Sequence, residues 1–137
     1  MNNPFTGKLL AEVTNASSSD AEAAIQSTID AAVSMKALPA HARYHALQKI
    51  AGGLYDRRDE FARLITAESG KPATDAKREV NRAVQTFTIA AEEAKRIPGE
   101  VIPLDWTPGT DSHLGILRRV PIGPVLGITP FNFPLNL

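Results

Sequence analysis

An asparagine held between proline-bounded aromatic residues is the group in this sequence best suited to chemistry. Asn132 sits within Pro130-Phe-Asn-Phe-Pro134, where two prolines and two phenylalanines restrict the backbone around it. Upstream, Val125-Leu-Gly-Ile128 is an apolar run set off by Pro124, the pattern of a short buried strand. Pro130 ends that run, because proline cannot donate to a central ladder. Pro134 suits the first turn of a helix, where its missing N–H is no loss. The spacing predicts strand, sharp turn and helix start, with Asn132 in the turn. Unpaired N–H groups and the positive end of a helix dipole gather at such a place. A side-chain amide held there can donate to an oxygen that gains negative charge during a reaction, and losing one such donor raises a barrier by about 3 kcal/mol. The same residues also make a plain turn, since asparagine and proline are ordinary turn formers.

The whole run from Pro121 to Leu135, Pro-Ile-Gly-Pro-Val-Leu-Gly-Ile-Thr-Pro-Phe-Asn-Phe-Pro-Leu, resembles the signature of the aldehyde dehydrogenase superfamily. Those enzymes use NAD or NADP to oxidise aldehydes to acids. The common form has tryptophan before the asparagine, and Phe131 departs from it as several subgroups do. The resemblance implies that Asn132 stabilises the oxyanion of a thiohemiacetal. It implies too that Ile128, Thr129, Pro130 and Phe131 line the path of the nicotinamide cofactor, and that Phe133 lines the substrate tunnel. A second segment, Leu64-Ile-Thr-Ala-Glu-Ser-Gly-Lys-Pro72, is similar to the family's recurring Glu-x-Gly-Lys-Pro element. Its glycine suits a helix C-cap and Lys71 the negative helix end, so a structural role is expected there.

Four helices and a hairpin are expected to position these residues. Asn3-Pro-Phe-Thr-Gly7 reads as a turn and residues 8–13 as a short strand. Ser19-Asp-Ala-Glu22 reads as a capping box that opens a helix over residues 20–35, with Ile25, Ile29, Ala32 and Val33 at helical spacing. After Pro39 a second helix covers residues 40–55, with Tyr44, Leu47, Ile50 and Leu54 on one face. Its Gly52-Gly53 pair costs about 1 kcal/mol per glycine in helix propensity. A third helix over residues 58–69 buries Phe61, Leu64 and Ile65 and stops at Gly70. The fourth and longest covers residues 73–97, with Val80, Val84, Phe87, Ala91 and Ala94 as its apolar stripe. Strands are expected at residues 100–105 and 114–120, joined by a polar loop.

Arg82 lies on the fourth helix, where the resemblance places a substrate-tunnel residue. Arginine there suits carboxylated or phosphorylated aldehydes, because its rigid fork matches such anions. A solvated arginine paired with Glu79 or another carboxylate is the equally weighted alternative. Asn136, on the tunnel-facing side in the resemblance, replaces a commonly apolar residue and points to a small polar substrate. His41 and His45 stand four apart on a helix, yet no glutamate and no third ligand complete a zinc pattern, so no metal is expected. The glycines at 99, 115, 123 and 127 do not form a phosphate-binding G-x-G-x-x-G.

Composition narrows the rest. The chain has 137 residues, 43% of them hydrophobic, enough for a core. Its 15 basic and 15 acidic residues balance, which directs it to neither nucleic acid nor a membrane surface. The start lacks the pattern of a signal peptide, and no apolar run reaches the roughly 18 residues of a bilayer span. A cytoplasmic protein is the expectation. Cysteine is absent, whereas the family attacks its aldehyde with a cysteine thiolate and uses a glutamate base further along. We therefore expect an α/β, aldehyde-dehydrogenase-like fold of which this chain is the N-terminal part, inactive alone. Residues 1–98 would form the helical part of the cofactor-binding domain and 99–122 a hairpin of the oligomerisation region. Residues 123–137 would begin the Rossmann-like sheet with its first strand. The full protein would act on a small polar or anionic aldehyde, with NAD or NADP, as a homodimer or homotetramer. The rival expectation is an inactive helical interaction module or a degenerate gene product.

Overall fold

The computed structural model describes residues 1–136. Its elements run α1 (Ser18–Ala37), α2 (Ala40–Asp56), α3 (Arg58–Ser69), α4 (Ala73–Ala94), β1 (Glu100–Pro103) and β2 (Leu114–Leu117). Helix α4 is the centre, packing along α2 and against α3. The core is unusually small-grained: Ala51, Ala62, Ala76, Ala83 and Ala91 are buried beside Leu54, Ile65 and Val80. Alanine at the contact lets helix axes approach closely and leaves little room for added volume. Phe61 and Leu135 pack on the cluster of Ala62, Ile65, Ala76 and Val80, so the chain's last described turn already touches this core.

Where each element stops has a local cause. Gly70 caps α3 at φ +73°, donating its N–H to the Thr66 carbonyl at 3.0 Å. That left-handed conformation costs a residue with a Cβ roughly 1–2 kcal/mol, so glycine is the fitting residue. Helix α4 ends at Ala94 rather than at residue 97, because Pro98 has no N–H for the Ala94 carbonyl four residues back and its ring would crowd it. The two glycines in α2 do not end it; the helix runs through them to Asp56. Its Leu54 is buried, while Ile50 stays 45% exposed.

Helix α1 begins earlier than the Ser19 box predicts. Ser17 is the N-cap: its Oγ accepts the Asp20 N–H at 3.2 Å, and Asp20 Oδ2 accepts the Ser17 N–H at 2.8 Å. The two boxes compete for one helix start, and the earlier one adds two residues of helix. Among the described residues helix α1 packs on no other helix or strand, and Ile25, Ile29 and Val33 remain exposed.

The strands are shorter than expected. β1 and β2 pair antiparallel, Glu100 opposite Leu117 and Pro103 opposite Leu114, so Arg118 and Arg119 lie beyond the ladder. A Cβ at Gly99 would stand 2.8 Å from the Leu117 carbonyl, which explains a glycine at the hairpin's base. Residues 8–13 form no strand; a single bridge joins Asn2 to Leu9. The partner there, beside a turn built on the Asn3 side chain, is too short for a ladder. The strand expected at Val125–Ile128 is likewise not formed. Among the described residues no strand lies beside it, and Val125, Leu126 and Ile128 are 74%, 85% and 89% exposed. Residues 131–136 form successive turns instead of a helix start, closed by the Asn136 N–H on the Phe133 carbonyl at 3.0 Å. The remainder of that expected helix, Leu137, lies outside the described residues.

The capping box has a pH signature. The Ser17 backbone N–H, and then its hydroxyl, hold the Asp20 carboxyl below its ordinary value. A carboxyl lowered in the helix stabilises it fully above the unfolded pKa, and that stabilisation fades as pH falls through the lowered one. Since α1 packs on no other element, a peptide of residues 15–38 reports on it. Circular dichroism should show more helix for the native peptide than for Asp20→Asn at pH 7. The difference should close in acid as Asp20 protonates.

Candidate active site

Helix α4 carries one charge into the interior. Glu79 stands between Ala76 and Ala83 on the buried face and is itself only 3% exposed. A carboxylate there needs a counter-charge and hydrogen bonds, since an unpaired buried charge is strongly unfavourable. Lys71, from the three-residue link between α3 and α4, supplies the counter-charge as an ion pair with Glu79 Oε2. The Leu135 N–H donates to the other oxygen at 2.9 Å. Lys71 Nζ also donates to the Asn132 carbonyl at 3.0 Å. The left-handed Gly70 turns the chain so that Lys71 leaves the α3 axis and reaches α4. Lys71 thus serves the turn and α4 rather than the carbonyl end of α3.

Arg82, one turn after Glu79, faces the same loop. Its Nε donates to Asn136 Oδ1 at 3.3 Å, and Asn136 Nδ2 donates to the Glu79 carbonyl at 2.7 Å. The Phe133 ring is flanked by two cations, with Lys71 Nζ 4.2 Å and Arg82 Cζ 5.1 Å from its centroid. Such contacts contribute about 0.5–2 kcal/mol each, more where water is excluded. Arg82 is therefore not paired with Glu79, as helix spacing allowed; Glu79 is taken by Lys71.

These groups wall a cleft of about 790 Å³ between the α3–α4 link and the turn, which also reaches Phe131, Asn132 and Asp75. Asn132 is exposed, and among the described residues its side-chain amide has no hydrogen-bond partner. Arg82, Phe131, Asn132 and Phe133 are brought to one cleft, and Asn136 joins them through Arg82. Ile128, Thr129 and Pro130 lie outside it on the exposed approach. Glu79 and Lys71 went unmarked as site residues in the sequence. The signal was present: a glutamate at position 79 interrupts the small-residue stripe of Ala76, Val80 and Ala83.

The aldehyde dehydrogenase family model matches residues 1–137. The chain belongs to the aldehyde dehydrogenase family. It is 39% identical over 135 residues to a 3-sulfolactaldehyde dehydrogenase of Priestia aryabhattai, covering 98% of this chain and 28% of that protein. It is 42% identical over 135 residues to a probable NADP(+) succinate-semialdehyde dehydrogenase of Sinorhizobium fredii, covering 98% of this chain and 27% of that one. The crystal structure of aldehyde dehydrogenase 21 from Physcomitrella patens, in complex with the reaction product succinate, superposes with a TM-score of 0.96 at 43% identity. That match covers 99% of this chain and 28% of the other. The chain thus spans a little over a quarter of the length of these aldehyde dehydrogenases. Its helices and hairpin follow the aldehyde dehydrogenase fold, as the α/β expectation had it.

The buried pair sets a stability expectation for this family member. Removing one partner of a buried ion pair typically costs 3–5 kcal/mol, because the other charge is left unpaired. Glu79→Ala should lower the unfolding free energy by about that amount, read from denaturant midpoints. Breaking the exposed pair Arg57–Glu60 should move the midpoint far less by the same measurement, because solvent screens it.

Proposed function

We propose that this aldehyde dehydrogenase chain belongs to an enzyme that oxidises a small anionic aldehyde to its carboxylic acid with NAD or NADP. The observation that carries the substrate class is Arg82. It shares a cleft with Asn132, and of its guanidinium nitrogens only Nε has a hydrogen-bond partner among the described residues. The two terminal nitrogens are left for a carboxylate, sulfonate or phosphate, which a guanidinium fork binds in bidentate fashion. The named relatives agree with this reading: one acts on a sulfonated aldehyde, one on succinate semialdehyde, and one was solved with a dicarboxylate product.

In this reading Asn132 is the catalytic residue, its amide donating to the aldehyde oxygen as negative charge develops there. Arg82 holds the remote anion, and Asn136 and Phe133 fix the direction of its fork. Distance between the two anchors then sets which end of the aldehyde reacts, so orientation comes from binding. For the nicotinamide cofactor, which accepts the hydride when bound, Ile128, Thr129, Pro130 and Phe131 are the contact residues. Apolar side chains such as Ile128 and Phe131 fit the face of a planar ring. Residues 1–98 belong to the cofactor-binding domain, 99–122 to a hairpin joining subunits as a dimer or tetramer, and 123–137 to the start of the central sheet. The apolar, two-stranded hairpin supports that role, since Val101, Leu114 and Ile116 are all more than 60% exposed. No helix among the described residues is long and apolar enough to cross a membrane.

The test compares succinate semialdehyde with hexanal in the full-length enzyme and in Arg82→Ala. A charge-assisted hydrogen bond is worth about 1.5–3 kcal/mol. The variant should therefore lose roughly 10- to 100-fold in kcat/KM for the anionic aldehyde. For hexanal it should change little. Equal losses on both substrates would refute the anion clamp.

A further inference from the structure

The turn that bears Asn132 has little internal support. Between residues 131 and 136 the backbone makes one hydrogen bond of its own, Asn136 N–H to the Phe133 carbonyl. Three ties come instead from Lys71 in the α3–α4 link and Glu79 within α4. Lys71 Nζ holds the Asn132 carbonyl at 3.0 Å, Glu79 Oε1 holds the Leu135 N–H at 2.9 Å, and the Glu79 carbonyl holds Asn136 Nδ2 at 2.7 Å. The two side chains that hold the turn, Lys71 as donor and Glu79 as acceptor, are themselves ion-paired and largely buried, Glu79 at 1% and Lys71 at 16% side-chain exposure. A turn takes its position from the partners of its backbone groups. The peptide plane at Asn132 is thus set by Lys71, and Lys71 is set by Glu79.

We propose that Lys71 and Glu79 are positioning residues for Asn132, holding its amide where the reacting oxygen gains charge. The pair acts through the turn rather than on the aldehyde. Fixed donors stabilise a transition state because they need no reorganisation when charge develops. A misplacement of about 1 Å can cost on the order of 100-fold in rate. This inference rests on the oxyanion role proposed above for Asn132.

A double-mutant cycle in the full-length enzyme tests it, with kcat expressed per titrated active site. Lys71→Met should lower kcat by about 10- to 100-fold in the native background, with a much smaller change in KM. In an Asn132→Ala background the same substitution should change kcat less than about twofold, because residues acting as a unit are non-additive. Amide exchange should rise over residues 131–136 in Lys71→Met, while α4 stays protected. Glu79→Gln, which keeps an oxygen for the Leu135 N–H, runs through the same cycle should Lys71→Met fail to fold. An equal loss in both backgrounds would overturn the positioning role and leave Asn132 as the oxyanion donor. An unchanged kcat in Asn132→Ala alone would overturn the oxyanion reading, and the positioning role with it.

Discussion

A carboxylate buried on the inner face of α4 is the constraint around which this chain is arranged. Glu79 cannot sit among Ala76, Val80 and Ala83 as a bare charge. Its two oxygens are therefore matched by an ammonium from the α3–α4 link and an N–H from the turn at residues 131–136. Those two partners are far apart in sequence, 8 and 56 positions away. Satisfying one buried acid brings together the end of α3, the middle of α4 and the asparagine turn. The cleft is the space left between them.

Local features upstream make that convergence possible. The alanine-rich packing of α4 on α2 and α3 brings the helices close enough for the short link to span their ends. Gly70, in its left-handed conformation, turns the link so that Lys71 points across the helix rather than along it. Arg82 follows Glu79 by three residues, so the interior acid and the cleft cation lie near one face of the same helix. One turn of α4 anchors the loop through Glu79 and meets its last residues through Arg82. Leu135, packed on the core beneath, joins that loop to the hydrophobic cluster.

Much of this was legible in the sequence, for identifiable reasons. Period-3.6 apolar spacing gave α2, α3 and α4 to within a few residues, and the glycine cap gave the end of α3 at Ser69. The Pro-Phe-Asn-Phe-Pro run marked the turn and its asparagine, and the resemblance brought Arg82 and Asn136 to the same neighbourhood. What was not legible depends on partners distant in sequence. Val125–Ile128 has the composition of a strand, but a strand needs a neighbour to bond to, and none of the described residues provides one. Residues 8–13 failed for the same reason, with only a bridge to Asn2. The Ser19 box was displaced by an equivalent box two residues earlier, a choice that local chemistry leaves nearly balanced. Lys71 looked like a helix-end cation because sequence spacing shows α3 but not the buried acid across from it.

The most direct test of the account is a crystal structure of the full-length enzyme with succinate bound. One carboxylate should lie on the Arg82 guanidinium and the other beside the Asn132 amide, at hydrogen-bond distances of about 3 Å. The Lys71–Glu79 pair would stay intact beneath. Succinate bound with its remote carboxylate away from Arg82, or its reacting end away from Asn132, would contradict the account.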